Sequence, residues 1–184
     1  MPETAAPGAG LWRAALLGAA AGGRSMSGVA VLALSVPGTE TERPARWLAG
    51  TGATVAAVLA GAGELVLDKL PATPSRLSPQ GLAPRIVLGA FTGAAVTAHL
   101  EQTEEPRRLA APAALAAATA LLGALAGARW RSLARRGPLP DWAAALAEDA
   151  VVLGLATTAC LLRARPAVDD LPAGTPIAHT DVSG

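Results

Sequence analysis

No tyrosine occurs in this chain of 184 residues, phenylalanine and cysteine occur once each, and histidine occurs twice. A lone cysteine, Cys160, excludes an intrachain disulfide. Set in an apolar run, it reads as a small packing hydrophobe. Two histidines, His99 and His179, offer no His/Cys cluster with metal-ligand spacing, so no metal site is expected. Neither a P-loop nor a G-x-S-x-G turn is present; no enzyme is expected, and no cofactor. Charge is scarce too. Charged residues make up 16% of the chain, against about 25% in soluble domains. The formal net charge is +1, without a basic stripe interleaved with aromatics, which argues against nucleic acid as a partner.

What remains is alanine, glycine and leucine. A soluble core of this size normally draws on large aromatic side chains, which bury the most area per residue. Closely packed membrane helices prefer small residues instead. The expected fold is therefore all-α, a polytopic helical membrane bundle of about five spans, with the lipid bilayer as the first partner. The length suits one compact unit: a helical domain over residues 11–163, with disordered polar tails at 1–10 and 164–184. Met1 to Gly10 is neutral to acidic and unlike the basic start of a signal peptide, so the first apolar run is expected to stay in the mature chain.

Five apolar stretches are marked: Leu11 to Val36, Trp47 to Leu67, Ile86 to Leu100, Leu109 to Ala128 and Trp142 to Leu162. Only the fourth is a clean uncharged span. The first is too long for one simple crossing. Its centre reads Gly22-Gly23-Arg24-Ser25, where paired glycines weaken a helix and Ser25 or Ser27 suits a fresh start. The reading is two half-helices, Leu11 to Ala21 and Met26 to Val36, separated by a break; the alternative is one kinked, tilted helix. Pro71, Pro74, Pro79 and Pro84 keep the segment between the second and third stretches from being one helix. Orientation is weakly marked. With the N-terminus inside, Arg13, Lys69, Arg76, Arg85, Arg129, Arg131, Arg135 and Arg136 fall on the cytoplasmic side. Arg43, Arg46, Arg107, Arg108, Arg163 and Arg165 fall on the other. An odd span count then puts the C-terminus outside.

Leu16 to Arg24 and Leu121 to Arg129 share a Leu-Leu-Gly-Ala start and an arginine end. Each copy is followed by a helix bearing a glutamate, Glu64 or Glu148. The offset between copies suggests an inverted repeat, as in transporters built from antiparallel halves; chance matching among alanines and glycines is the alternative. Gly18 and Gly22, Gly89 and Gly93, and Gly123 and Gly127 are three small-xxx-small pairs, suited to close helix packing within the bundle or to a homo-oligomer face.

The charges inside apolar runs are the candidate polar site, since ionisable groups at membrane depth tend to be paired and functional. Glu64 and Asp68 lie one helical turn apart at the end of the second stretch, next to Lys69. Glu64 is expected to meet Arg24 or Arg85, while Asp68 also suits a helix end reaching water. Glu148 is expected to turn inward and meet Arg129 or Arg24. Its neighbour Asp149 points about 100° away and should not share that partner. A helix start beside Arg24 would also hold an anion, with Glu64 or Glu148 as the simplest occupant. His99 reads as an interfacial residue.

Several of these segments resemble a known family. They are Gly18 to Ser25; Gly63-Glu64-Leu65-Val66-Leu67-Asp68-Lys69-Leu70-Pro71 with Pro74 and Arg76; Ser78-Pro79, Gly81-Leu82 and Arg85; Leu139-Pro140-Asp141; and Ala147-Glu148-Asp149-Ala150. Over about residues 11 to 163 the chain resembles the bacterial integral-membrane family called domain of unknown function 4126. The resemblance implies a small protein of the bacterial cytoplasmic membrane and supplies no catalytic residue. The expected function is a small permease for an ion or anionic solute, lined by Arg24, Glu64, Asp68, Arg85, Arg129 and Glu148. A non-transporting accessory protein, with closed ion pairs and an exposed glycine face, is the alternative. An enzyme acting on lipid head groups ranks third.

Overall fold

The computed structural model describes residues 9–67, 77–138 and 140–161. The expected tail at 164–184 lies outside them, as do residues 1–8 of the other tail, whereas Ala9 and Gly10 already belong to the first helix. The described chain is all-helical: α1 (Ala9–Gly23), α2 (Ser25–Ser35), a 3-10 turn (Ala45–Leu48), α3 (Thr51–Leu67), α4 (Pro79–Glu101), α5 (Pro106–Ala134) and α6 (Asp141–Leu161). Helices α4, α5 and α6 are long and apolar enough to cross a membrane. Helices α2 and α3 are apolar but shorter.

Local chemistry sets several boundaries. Ser78 caps α4 by accepting from the Gly81 N–H, and Pro79 occupies the first turn, where its missing N–H costs nothing. That start moves the third apolar element upstream of its expected beginning and places Pro84 and Arg85 inside the helix. Gln102 ends α4 in the left-handed conformation, with φ of 47°. Helix α5 runs past both ends of its apolar core, and its 29 residues extend about 43 Å. Trp47 falls in the 3-10 turn, not in α3, and stacks on Phe91 with ring centroids 6.2 Å apart.

The first apolar run breaks where Gly22-Gly23-Arg24-Ser25 implied. Arg24 alone separates α1 from α2, with an extended backbone at φ −143° and ψ 114°. After the break the chain turns back on itself. Gly28 of α2 packs beside the Leu17 carbonyl of α1, which a continuing helix would leave about 16 Å behind. The start of α1 and the end of α2 return to the same end of the bundle, because Arg13 and Ser35 both reach Cys160 near the end of α6. The run is thus a re-entrant hairpin whose tip is Arg24, and α3 to α6 connect the two ends of the molecule.

This geometry corrects two expectations. The start of α1 and the end of α6 share one end, so the opposite placement of N- and C-termini does not hold for the described helices. Arg13 accordingly leaves the group it was placed with and lies at the end opposite Arg131. The two similar segments are also not inverted. Gly18 packs on Ala116 and Thr119, and Gly22 packs on Ala120 and Gly123, so α1 and α5 advance in the same direction. The turn at Arg24 removes one crossing from the interval between the copies and makes their directions agree.

Helix α1 is the hub, packed against α4, α5, α6 and α2. Its Ala14, Leu17, Ala20 and Ala21 are fully buried, as befits a helix apolar on all sides. Glycines make its approach close. A Cβ on Gly22 would sit 2.1 Å from the Ala120 carbonyl oxygen, and one on Gly18 would sit 2.2 Å from that of Ala116. Gly93 and Gly123 press on neighbouring backbone in the same way, and Gly89 does so more loosely. Gly127 lines a groove between α5 and α6. The tryptophans mark both ends: Trp12 and Trp47 at one, Trp130 and Trp142 at the other, in the manner of interfacial aromatic belts.

Candidate functional site

A chain break inside an apolar bundle exposes backbone groups that no water can satisfy. The last carbonyls of α1 and the first N–H groups of α2 all need partners. Charged side chains from other helices supply them. Arg85 of α4 donates through Nη1 to the carbonyls of Gly22 at 2.8 Å and Gly23 at 2.6 Å, and its Nε donates to Gly81 at 3.1 Å. Glu64 of α3 accepts from the Ser25 N–H at 2.8 Å and the Met26 N–H at 2.7 Å, one carboxylate oxygen each. A cation thus closes the carbonyl end of α1 and an anion closes the amide end of α2. Both signs match the helix macrodipoles.

The tip residue is held by a third helix. Arg24 donates through Nε and Nη2 to Asp149 Oδ1 of α6, at 2.8 and 2.6 Å. Arg24 is 1% exposed and Arg85 4%, so both guanidinium groups are withdrawn from the surroundings and depend on these partners. Helices α3, α4 and α6 therefore meet at one point only because of the hairpin between them.

The sequence-derived residues are redistributed. Arg24, Glu64 and Arg85 come together at the tip. Glu64 takes the backbone as its main partner, and its closest approach to Arg85 is 4.0 Å. The helix start beside Arg24 does hold an anion, and Glu64 is the occupant. Glu148 is buried and accepts from Arg131 Nε at 2.8 Å. Of the two expected partners, Arg129 is exposed, because the face of α5 turned toward α6 at that level carries position 131, and Arg24 donates to Asp149. Asp68 lies outside the described residues. Asp149, noted only as the neighbour of Glu148, proves to be the residue that binds Arg24. Its 100° offset from Glu148 along α6 sends the two acids to different arginines.

A second polar node lies at the opposite end, outside the apolar helices. Glu40 accepts from the N–H groups of Thr41 and Glu42, both at 3.0 Å, and its other oxygen meets His99 Nδ1 at the end of α4. Burial pushes the Glu40 carboxyl up. The His99 contact and the two backbone N–H groups outweigh that, and Glu40 is held below its ordinary value. His99 stands near the end of α4 and is half-buried against Glu40; nothing in the pattern around Glu40 marked it beforehand.

The arrangement joins three things: a discontinuous helix, compensating charges from three other helices, and neighbouring apolar surface long enough to cross a membrane. Among the described residues no group of His, Cys, Asp or Glu could hold a metal ion.

The family model for domain of unknown function (DUF4126) matches residues 11–164. A search of curated proteins gave no match, and a search of solved structures gave none either. The chain belongs to the DUF4126 family, and its helices make it a membrane protein.

Proposed function

We propose that this DUF4126 member is a small permease of the bacterial cytoplasmic membrane, and that the hairpin tip is its gate and binding point for a small ion or anionic solute. The observation that carries this reading is the broken helix held at Arg24 by Glu64, Arg85 and Asp149 from three different helices. Non-helical backbone at membrane depth is tolerated where it is buried or lines a passage, and broken helices recur where transporters bind their cargo.

The chemistry follows from the caps. The Ser25 and Met26 N–H groups and the Arg85 guanidinium form an anion cradle that Glu64 fills. An incoming carboxylate or phosphate offers the same acceptor oxygens and takes the place of Glu64 when α3 withdraws. Helix α3 suits that movement. Among the described residues it packs on α2 and the 3-10 turn, with at most slight contact elsewhere, and its Gly52 and Gly63 have open space where a side chain would stand.

Flux of ions and anionic solutes into proteoliposomes tests the proposal. Wild type should exceed empty vesicles, and Glu64→Gln should change both the rate and the solute preference. Wild-type flux equal to that of empty vesicles for every solute tried would remove the permease reading.

A second reading, an accessory protein without transport, draws on closure. Arg24 to Asp149 and Glu64 to the α2 start are short, complete bonds. The glycines count against its other requirement, since Gly18, Gly22, Gly89, Gly93 and Gly123 face neighbouring helices and do not form an open docking face.

A further inference from the structure

Below the turn that joins them, α5 and α6 part. Trp130 ties them at that end by donating to the Ala144 carbonyl at 3.0 Å. Beyond it lies a groove of about 540 Å³ whose floor is Ala19 and Gly23 of α1 and whose walls include Leu122, Val151 and Leu155. That volume falls in the range of about 300–1,000 Å³ typical of small-molecule sites. The groove opens sideways, between two helices that are themselves long enough to cross a membrane. Among the described residues Glu148 is the one charged group in its lining, and that charge is answered by Arg131.

We infer that this groove holds one acyl chain of an anionic phospholipid, whose head group rests on the arginines at the end of α5. Two observations select that occupant. The first is length. Along α5 the groove runs from Thr119 to Trp130, about 17 Å, or roughly half of the 30 Å hydrocarbon layer. It serves one leaflet, whereas a helix from a second copy or a partner would need a seam through the full thickness. The second is charge. The groove ends at the level where Trp130 and Trp142 mark the interface. There Arg129, Arg135 and Arg136 are exposed, opposed by Asp141. Guanidinium groups bind phosphate oxygens in pairs, and each basic side chain near the head groups favours an anionic lipid about fivefold. Tryptophan and arginine at the mouth with branched aliphatic side chains inside reproduce the polarity profile of one lipid molecule.

The test uses Trp130 as the reporter. In a version carrying Trp12→Phe, Trp47→Phe and Trp142→Phe, it is the one remaining indole. The protein is placed in phosphatidylcholine vesicles containing a minor fraction of phosphatidylglycerol with brominated chains. The bound lipid should quench Trp130 several-fold more than its bulk fraction allows, and brominated phosphatidylcholine at the same fraction should not. Arg135→Gln with Arg136→Gln should remove most of the excess while leaving the helical circular dichroism unchanged. Ala126→Leu with Ala147→Leu, which fills the groove from two of its exposed positions, should lower quenching by either lipid. Quenching that follows the bulk fraction for both lipids would overturn the inference. So would a Trp130 shielded from both, which would place a protein surface in the groove. The comparison of two lipids is made on one reporter protein, whose helical circular dichroism is matched to wild type beforehand, so a misfolded arginine or leucine variant leaves the test intact.

Discussion

At the residue scale the tip is a set of caps. Arg85 satisfies two α1 carbonyls and Glu64 satisfies two α2 amides. Arg85→Met should therefore strand buried acceptors and cost on the order of 2–5 kcal/mol. It would appear as a lowered unfolding midpoint in detergent, and an unchanged midpoint would refute the capping role. Glu64→Gln keeps the shape but points an amide donor at one of two N–H groups, so a smaller loss is expected. Glu40 gives a pH prediction. Its carboxyl is depressed in the fold, so its contribution is complete above the unfolded value of 4.5 and is lost as pH falls through the lower folded value. As pH falls from 4.5 through that lower value, stability should drop more steeply in wild type than in Glu40→Gln; equal acid sensitivity across that window would contradict this. The sequence exposed the acids and arginines as exceptions in apolar runs. It could not choose between Glu148 and Asp149 or between Arg129 and Arg131. One position of helical register decides each, and that register is set by packing.

At the element scale glycine does two jobs. On α1 it admits backbone to backbone, and Gly22→Ala would drive a Cβ to 2.1 Å from the Ala120 oxygen. Overpacking of this kind costs about 1–3 kcal/mol or more, read as loss of monodisperse, thermally stable protein. Gly154 in α6 has nothing within 4 Å of its would-be Cβ, so Gly154→Ala should stabilise by roughly 0.5–1 kcal/mol through helix propensity. The reverse ranking of these two substitutions would sink the packing account. The helices and the break at Arg24 were legible from composition and from Gly22-Gly23. The start of α4 was legible only in hindsight, in Ser78-Pro79, because the run of prolines dominated the reading of that segment.

At the scale of the whole molecule, a re-entrant hairpin sits among four helices that join its two ends. Sequence alone does not carry that, because the direction a chain takes after a break is set by what waits on the far side. Here three charges from α3, α4 and α6 wait at the tip, and the small side chains of α1 and α2 let them lie together, as where Gly28 meets Leu17. The hairpin accounts at once for the parallel course of α1 and α5, for the meeting of Arg13, Ser35 and Cys160, and for the tryptophan pairs at either end.

The fold-back itself is open to a single experiment. In a Cys160→Ala background, cysteines are introduced one at a time at Leu11, Thr39 and Gly137, and sealed vesicles are labelled with a thiol reagent that does not cross the membrane. The hairpin predicts that Leu11→Cys and Thr39→Cys react from the same side and Gly137→Cys from the opposite side. Labelling of Leu11→Cys together with Gly137→Cys, and of Thr39→Cys across from them, would mean that the first apolar run crosses the membrane and that the tip with its three charged partners is not formed.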